Sequence, residues 1–255
     1  MSRAEFYVGY KSKAPPLLTR FLRRVVGSLI VVAAVLALAL AALQKPFDPG
    51  VFEYGVVRDF EGILLENPVP TLLVANPATA GISSPDYSRF LLVAPGKFGA
   101  ADLVAGLHGR SLYLRGSLIH RGSDAMIELV PDSIRDVSSE SGTKNATAID
   151  LGEHTVVGEI VDSKCYLGVM KPGREKTHRA CAVRCISGGV PPMLRTAGVD
   201  DEPIHLLLVG KDGAALNEQV LDFVAEPVEI SGTIQRLGNQ LVLLADERSI
   251  RRLGG

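Results

Sequence analysis

Two stretches of this chain carry the same pattern of residues. Gly96-Lys-Phe-Gly-Ala100 matches Gly210-Lys-Asp-Gly-Ala214, and Leu112-Tyr-Leu-Arg-Gly116-Ser matches Val228-Glu-Ile-Ser-Gly232-Thr. In both, the next glycine of the pattern follows six residues later, at Gly122 and Gly238. Ser-Ile-Arg begins eleven residues beyond that, at Ser133 and Ser249. The starts align as well: Phe60-Glu-Gly62-Ile resembles Val157-Gly158-Glu-Ile160. Glycines mark the places where a backbone turns or is closely approached, so a shared spacing of them asks for one backbone built twice. Each copy is near 90 residues, enough for a small core of its own.

The second copy reads as short strands with one helical stretch. Alternation gives strands at 154–162, 192–196, 204–209, 227–236 and 240–245. The last two meet at the turn Leu237-Gly-Asn239, and a helical period runs over 214–224. Strand–strand–strand–helix–strand–strand is the order of an OB-type five-stranded barrel. The expected fold is therefore mainly β, with two tandem OB-like five-stranded barrels at 51–137 and 151–253. A Ser-, Gly- and Thr-rich linker at 138–150 joins them. A pair of five-stranded barrels of another topology is the alternative.

Residues 25–43 carry no charge over 19 positions, close to what the roughly 30 Å apolar core of a bilayer needs. Arg20, Arg23 and Arg24 precede this stretch, with Lys11 and Lys13 further back. The positive-inside rule makes 1–24 a cytoplasmic tail, 25–43 a transmembrane anchor, and the remainder periplasmic if the membrane is a bacterial inner membrane. A cleaved signal peptide is the competing reading, since Ala39-Leu-Ala41 resembles a cleavage site, but the apolar run exceeds the usual h-region. A net charge of −1, no tryptophan and 5% aromatic residues give nucleic acid neither an attracting field nor a stacking surface.

All three cysteines lie in one segment, 164–192, beside one of the five histidines. From Gly62 to Gly96 is 34 positions and from Gly158 to Gly210 is 52, so the second copy carries 18 extra residues, and the cysteines fall there. Loops grafted on a scaffold carry function more often than its core does. The second module is thus expected to hold the site, and the first to be a spacer or docking unit. Residues 176–186 read as a helix capped by Thr177 and ended by Gly188-Gly189. It would place His178, Cys181 and Cys185 on one face, with Cys165 closing over them from the preceding strand.

Three readings follow. Cys165, His178, Cys181 and Cys185 form a metal site of soft ligands, suited to zinc, copper or an iron-containing cofactor. Alternatively a disulfide from Cys165 staples the loop, since Cys181 and Cys185, four apart on a helix, stand too far from each other to bond. Thirdly, the basic residues Lys164, Lys171, Arg174, Lys176, Arg179 and Arg184 lower a thiol pKa for redox work. His108, His120, His154 and His205 are scattered singly and read as scaffold or surface. Gly96-Lys-Phe-Gly and Gly210-Lys-Asp-Gly lack phosphate-loop spacing and read as turns. No Ser-His-Asp set, paired acidic motif or dinucleotide fingerprint is present, which leaves an enzymatic role without a candidate apart from a thiol oxidoreductase.

The run Gly158-Glu-Ile-Val-Asp-Ser-Lys-Cys165, followed by His178-x-x-Cys181-x-x-x-Cys185-Ile-Ser-Gly-Gly-x-Pro-Pro, resembles a motif of uncharacterised bacterial membrane-anchored periplasmic proteins with an OB-like domain. The resemblance covers roughly 155–245 and implies fold and location, with no reaction. The layout of anchor and barrel is also similar to the haem chaperone of cytochrome c maturation, whose haem-attaching histidine motif is not evident here. The function expected is that of a membrane-tethered periplasmic accessory protein, presenting its Cys/His loop to a metal, a cofactor or a redox partner. The partner expected is another membrane or periplasmic protein, such as part of a respiratory complex.

Overall fold

The computed structural model describes residues 14–44, 49–76, 87–137, 148–198 and 203–254. Lys11, Lys13 and linker positions 138–147 lie outside them. The chain divides into two compact units, Met1–Pro46 and Phe47–Gly255. In the first, helix α1 (Pro16–Leu43) runs 28 residues, about 42 Å, and no residue in it is buried. Pro16 sits at its first position, where a missing N–H costs nothing. The helix begins nine residues before the uncharged stretch and is long and apolar enough to cross a membrane.

In the second unit, five strands close into a barrel: β1 (Arg58–Leu65), β2 (Thr71–Ala75), β3 (Tyr87–Ala94), β4 (Ser111–Arg121) and β5 (Asp124–Leu129). β1 pairs antiparallel with β2 and β4, β2 with β3, and β4 with β5. A parallel pairing of β3 with β5 completes the circuit. The following strands are β6 (Ala148–Asp162), β7 (Pro192–Ala197), β8 (Pro203–Gly210), β9 (Pro227–Leu237) and β10 (Gln240–Ala245). They form a second sheet: β6 with β7 and β9, β7 with β8, β9 with β10, and β8 parallel to β10. Both hairpins, β4–β5 and β9–β10, turn through two residues led by a glycine of positive φ (Gly122, 58°; Gly238, 60°). A II′ turn requires glycine at that place.

Among the described residues, burial falls into three clusters. Leu64, Leu72, Leu92, Leu112 and Leu114 fill the first barrel. Ile160, Leu194, Leu206, Leu243 and their neighbours fill the second sheet's side. A third cluster joins the halves: Leu91, Val93, Ile119 and Met126 pack with Val161, Tyr166, Met193, Leu207 and Val242, and with Cys165 and Cys185.

Two expectations require correction. The helical stretch at 214–224 is a loop, with one 3-10 turn at Leu221–Phe223. Leu216, Val220 and Val224 are buried at the spacing of a helix. The Asn217 amide, however, donates to Ile186 O (2.8 Å) and Val190 O (2.9 Å), and Ala225 turns to φ 60°, so tertiary contacts override the period. The linker is also shorter than expected, since β6 begins at Ala148. Its first residues are exposed throughout and show no alternation to read.

Candidate functional site

β6 ends at Asp162, and Asp162, Ser163 and Lys164 are all buried. The chain then makes one wide turn at Cys165–Val169, closed by Met170 N–H donating to Cys165 O at 3.0 Å. Asp162 organises the turn. Its Oδ1 accepts Cys165 N–H at 2.8 Å, and its Oδ2 lies 3.0 Å from His178 Nε2. A carboxylate only accepts, so Nε2 carries the proton, and a neutral His178 keeps its lone pair at Nδ1.

Helix α2 (Arg179–Ser187) starts later than expected. His178, not Thr177, is its N-cap residue, and no side chain caps the helix. The imidazole is committed to Asp162 and is 6% exposed. Cys181 and Cys185, one turn apart on α2, both face Cys165, with Sγ–Sγ distances of 4.0 and 3.9 Å. All three cysteines are free thiols. One ligand atom each from Cys165, His178 and Cys181 lies within 4.8 Å of the others. The same holds for Asp162, Cys165 and Cys185. The four residues picked out in the sequence thus meet in one place, and Asp162 joins them.

The first half supplies a cation to this cluster. Lys97, in the turn after β3, places Nζ 2.6 Å from Cys181 Sγ and 4.0 Å from Cys185 Sγ. The approach is fixed by backbone: Gly99 N–H donates to Gly188 O at 2.8 Å, and a Cβ on Gly188 would meet Lys97 O at 2.0 Å. Lys164 braces the turn from beneath. Its buried Nζ donates to Ala94 O (2.8 Å) and Gly96 O (2.7 Å) and pairs with Glu128 at 2.5 Å. Three of the basic residues near the cysteines in sequence are paired away from the thiols. Arg174 pairs with Glu175, and Arg179 and Lys176 with Glu226.

These contacts set the protonation pattern. Cys185 is held below the usual thiol range by the hydrogen bond from Cys165, with help from Lys97, against its burial. Cys165, the donor, is pushed up by that hydrogen bond, by burial and by the charge of Asp162. Lys97 is held above the ordinary ammonium range, chiefly by its hydrogen bond to Cys181. Positive charge beside thiols is the environment that makes a thiolate reactive or ready to take a metal.

A second polar group pins the Cys165 turn between the halves. His205 Nδ1 lies 2.8 Å from Asp124 Oδ2 and its Nε2 lies 3.1 Å from Tyr166 OH. His205 Nδ1–H donates to the Asp124 carboxylate, so Nε2 accepts from the tyrosine hydroxyl. Arg121 Nε donates to Tyr166 O at 2.9 Å while its guanidinium stacks 4.0 Å over the ring. Asp124, His205 and Arg121 line a surface cavity of about 280 Å³. Sequence reading missed Lys97, Asp162 and this chain, because the fold alone brings them to the cysteines. A signal existed for Asp162, which stands three residues before Cys165 at the end of a readable strand.

No family model matches the chain, and neither a curated protein nor a solved structure matches it.

Proposed function

We propose that this chain is a membrane-tethered accessory protein whose Cys/His site binds a soft metal ion or metal-bearing cofactor. α1 is the anchor in a bacterial inner membrane, the N-terminus is cytoplasmic, and the part after Leu43 is periplasmic. The three basic residues at 20, 23 and 24 support that orientation. We read both sheets as OB-like barrels and as two copies of one module. In support, each sheet carries the same five pairings, including one parallel pair. The site would receive its metal from, or deliver it to, another membrane or periplasmic protein, such as a component of a respiratory complex.

One observation carries the metal reading. Two thiolates about 2.3 Å from a tetrahedral ion stand roughly 3.8 Å apart. The sulfurs of Cys181 and Cys185 stand 4.0 and 3.9 Å from that of Cys165, with His178 beside them. Asp162 would hold the imidazole as outer-sphere carboxylates hold metal-ligating histidines, leaving Nδ1 for the ion. Zinc and Cu(I) suit this donor set, and an iron-containing cofactor is the third candidate. The ion would be a Lewis acid or a cargo held by thiolates, and no reaction is assigned to it.

The test is metal content and intact mass of the exported, purified protein. Stoichiometric metal that is lost in Cys181→Ser or His178→Ala supports the reading. A metal-free protein about 2 Da light, restored by reductant, overturns it in favour of a disulfide staple. The lowered Cys185 thiol facing Cys165 favours a second reading, thiol–disulfide exchange with a partner. Slow alkylation of Cys185 near neutral pH rejects that one.

A further inference from the structure

We propose that Lys97 and Cys181 are the two ends of a reversible oxidative cross-link, Nζ–O–Sγ, which dioxygen forms and thiol reductants open. The starting observation is the 2.6 Å between Lys97 Nζ and Cys181 Sγ. Amine and thiol are in direct hydrogen-bonded contact, the proximity that a one-oxygen bridge between them requires.

The pair is also built rather than incidental. Its two members come from opposite halves of the unit and lie 84 residues apart. The Gly99–Gly188 hydrogen bond at 2.8 Å locks the Lys97 turn to the end of α2, which carries Cys181. Lys164 holds the same turn through Ala94 O and Gly96 O. Reach selects the sulfur: Cys165 and Cys185 are 4% and 1% exposed, whereas Cys181 is only half-buried and Lys97 is open to solvent. Dissolved oxygen therefore meets Cys181 first.

The chemistry balances with dioxygen alone. The ammonium–thiolate pair has the composition of an amine plus a thiol. Adding O2 gives the Nζ–O–Sγ link and one water. The N–O and O–S bonds form, while one N–H bond, the S–H bond and the O–O bond break. Amine and thiol together lose four electrons to dioxygen, whose second oxygen leaves as water with the two released protons. Four electrons and four protons from thiol reductants return the amine, the thiol and a second water. Closing the link removes Cys181 from the thiol cluster. The consequence that metal is released on oxidation rests on the metal reading above, whereas the link itself does not.

The experiment uses the full-length chain in detergent, reduced and stripped of metal, then held in air-saturated buffer and weighed intact. We expect a gain of about 14 Da, one oxygen added and two hydrogens lost, erased by dithiothreitol. Digestion should yield one peptide pair joining the segments that contain Lys97 and Cys181. Lys97→Arg and Cys181→Ser should both lack the gain. An unchanged wild-type mass overturns the proposal, as does a loss of about 2 Da alone, a gain that reductant leaves in place, or a gain retained in Lys97→Arg. Zinc titration of the reduced chain separates the two ideas. A chain that cross-links but takes no metal overturns the metal reading only. One that binds zinc and never gains the mass overturns the cross-link only.

Discussion

In the half from Arg58 to Leu129, five residues connect the first two strands; in the half from Ala148 to Ala245, the same connection takes twenty-nine. The strand pairings around that connection are otherwise the same, including the parallel contact that closes the first barrel. Gly62 and Gly158 hold equivalent places. A Cβ there would meet Leu73 O at 2.3 Å and Arg195 O at 2.4 Å. The pattern of pairings therefore tolerates a long insertion at one place, and that insertion carries every thiol. The shorter half is no bystander. It contributes Lys97 to the thiols, Glu128 to the lysine beneath them, and Asp124 to the histidine that fixes the turn. A site grafted onto one half is completed by the other.

The largest effect should come from cutting the support that crosses between halves at Lys164. Its side chain is 2% exposed and neutralises Glu128, which is itself mostly shielded. Lys164→Met keeps the bulk but leaves that carboxylate and two carbonyls without their partner. A broken buried pair costs about 3 kcal/mol or more. Chemical denaturation should show the loss, and a change within about 0.5 kcal/mol would mean that the halves do not depend on this contact.

Next comes the hydroxyl of Tyr166. Tyr166→Phe preserves the ring under Arg121 but removes the partner of His205 Nε2, leaving a buried acceptor unpaired, at about 1–3 kcal/mol. The same variant should loosen the Cys165 turn, so Cys165 should become easier to alkylate. Stability lost without a gain in alkylation would show that the seam and the site are independent.

Asp162 sharpens the comparison at the site itself: with Gly62 matched to Gly158 its counterpart is Glu66, whose Oε1 accepts His108 N–H at 2.8 Å and organises no thiol turn. Asp162→Asn keeps the shape, but its amide donates toward His178 Nε2. The imidazole proton then moves to Nδ1, the nitrogen we assign to the metal. Loss of such an outer-sphere carboxylate typically weakens metal binding about 10–100-fold. Competition with a chromophoric zinc chelator measures it, and an affinity equal to wild type rejects His178 as a ligand.

Much of the scaffold was legible because strands with one buried face announce themselves. The strand read at 240–245 is β10 to the residue, the one read at 192–196 is one residue short of β7, and the one read at 204–209 is one residue short of β8 at each end. Glycine and proline punctuate these runs. The front of β6 was not legible, because residues exposed on both faces leave no alternation. The 214–224 loop was misread because burial at a helical period is not a helix when a side chain such as Asn217 claims the neighbouring carbonyls. The cluster of cysteines with His178 was visible as composition. Lys97 was visible only as part of a turn, and His205 only as an isolated histidine. Their roles arise where the halves pack, and no spacing along the chain encodes that.

The smallest effect is the sharpest test of likeness between the halves. Ser133 Oγ accepts Arg115 N–H at 3.1 Å and donates to Val130 O at 2.7 Å. Ser249 Oγ accepts Ser231 N–H at 2.8 Å and donates to Asp246 O, also at 2.7 Å. Both hydroxyls therefore tie the segment after the last hairpin back to the strand that opens it, one residue before Gly116 and Gly232. Removing either leaves one backbone N–H without its acceptor, worth about 1 kcal/mol. Ser133→Ala and Ser249→Ala should thus cost nearly the same in urea denaturation and, sharing no hydrogen-bond partner, should add in the double variant. Unequal costs, by more than about 1 kcal/mol, would mean that the common pairings conceal different energetics, and that the insertion has changed more of its half than the loop.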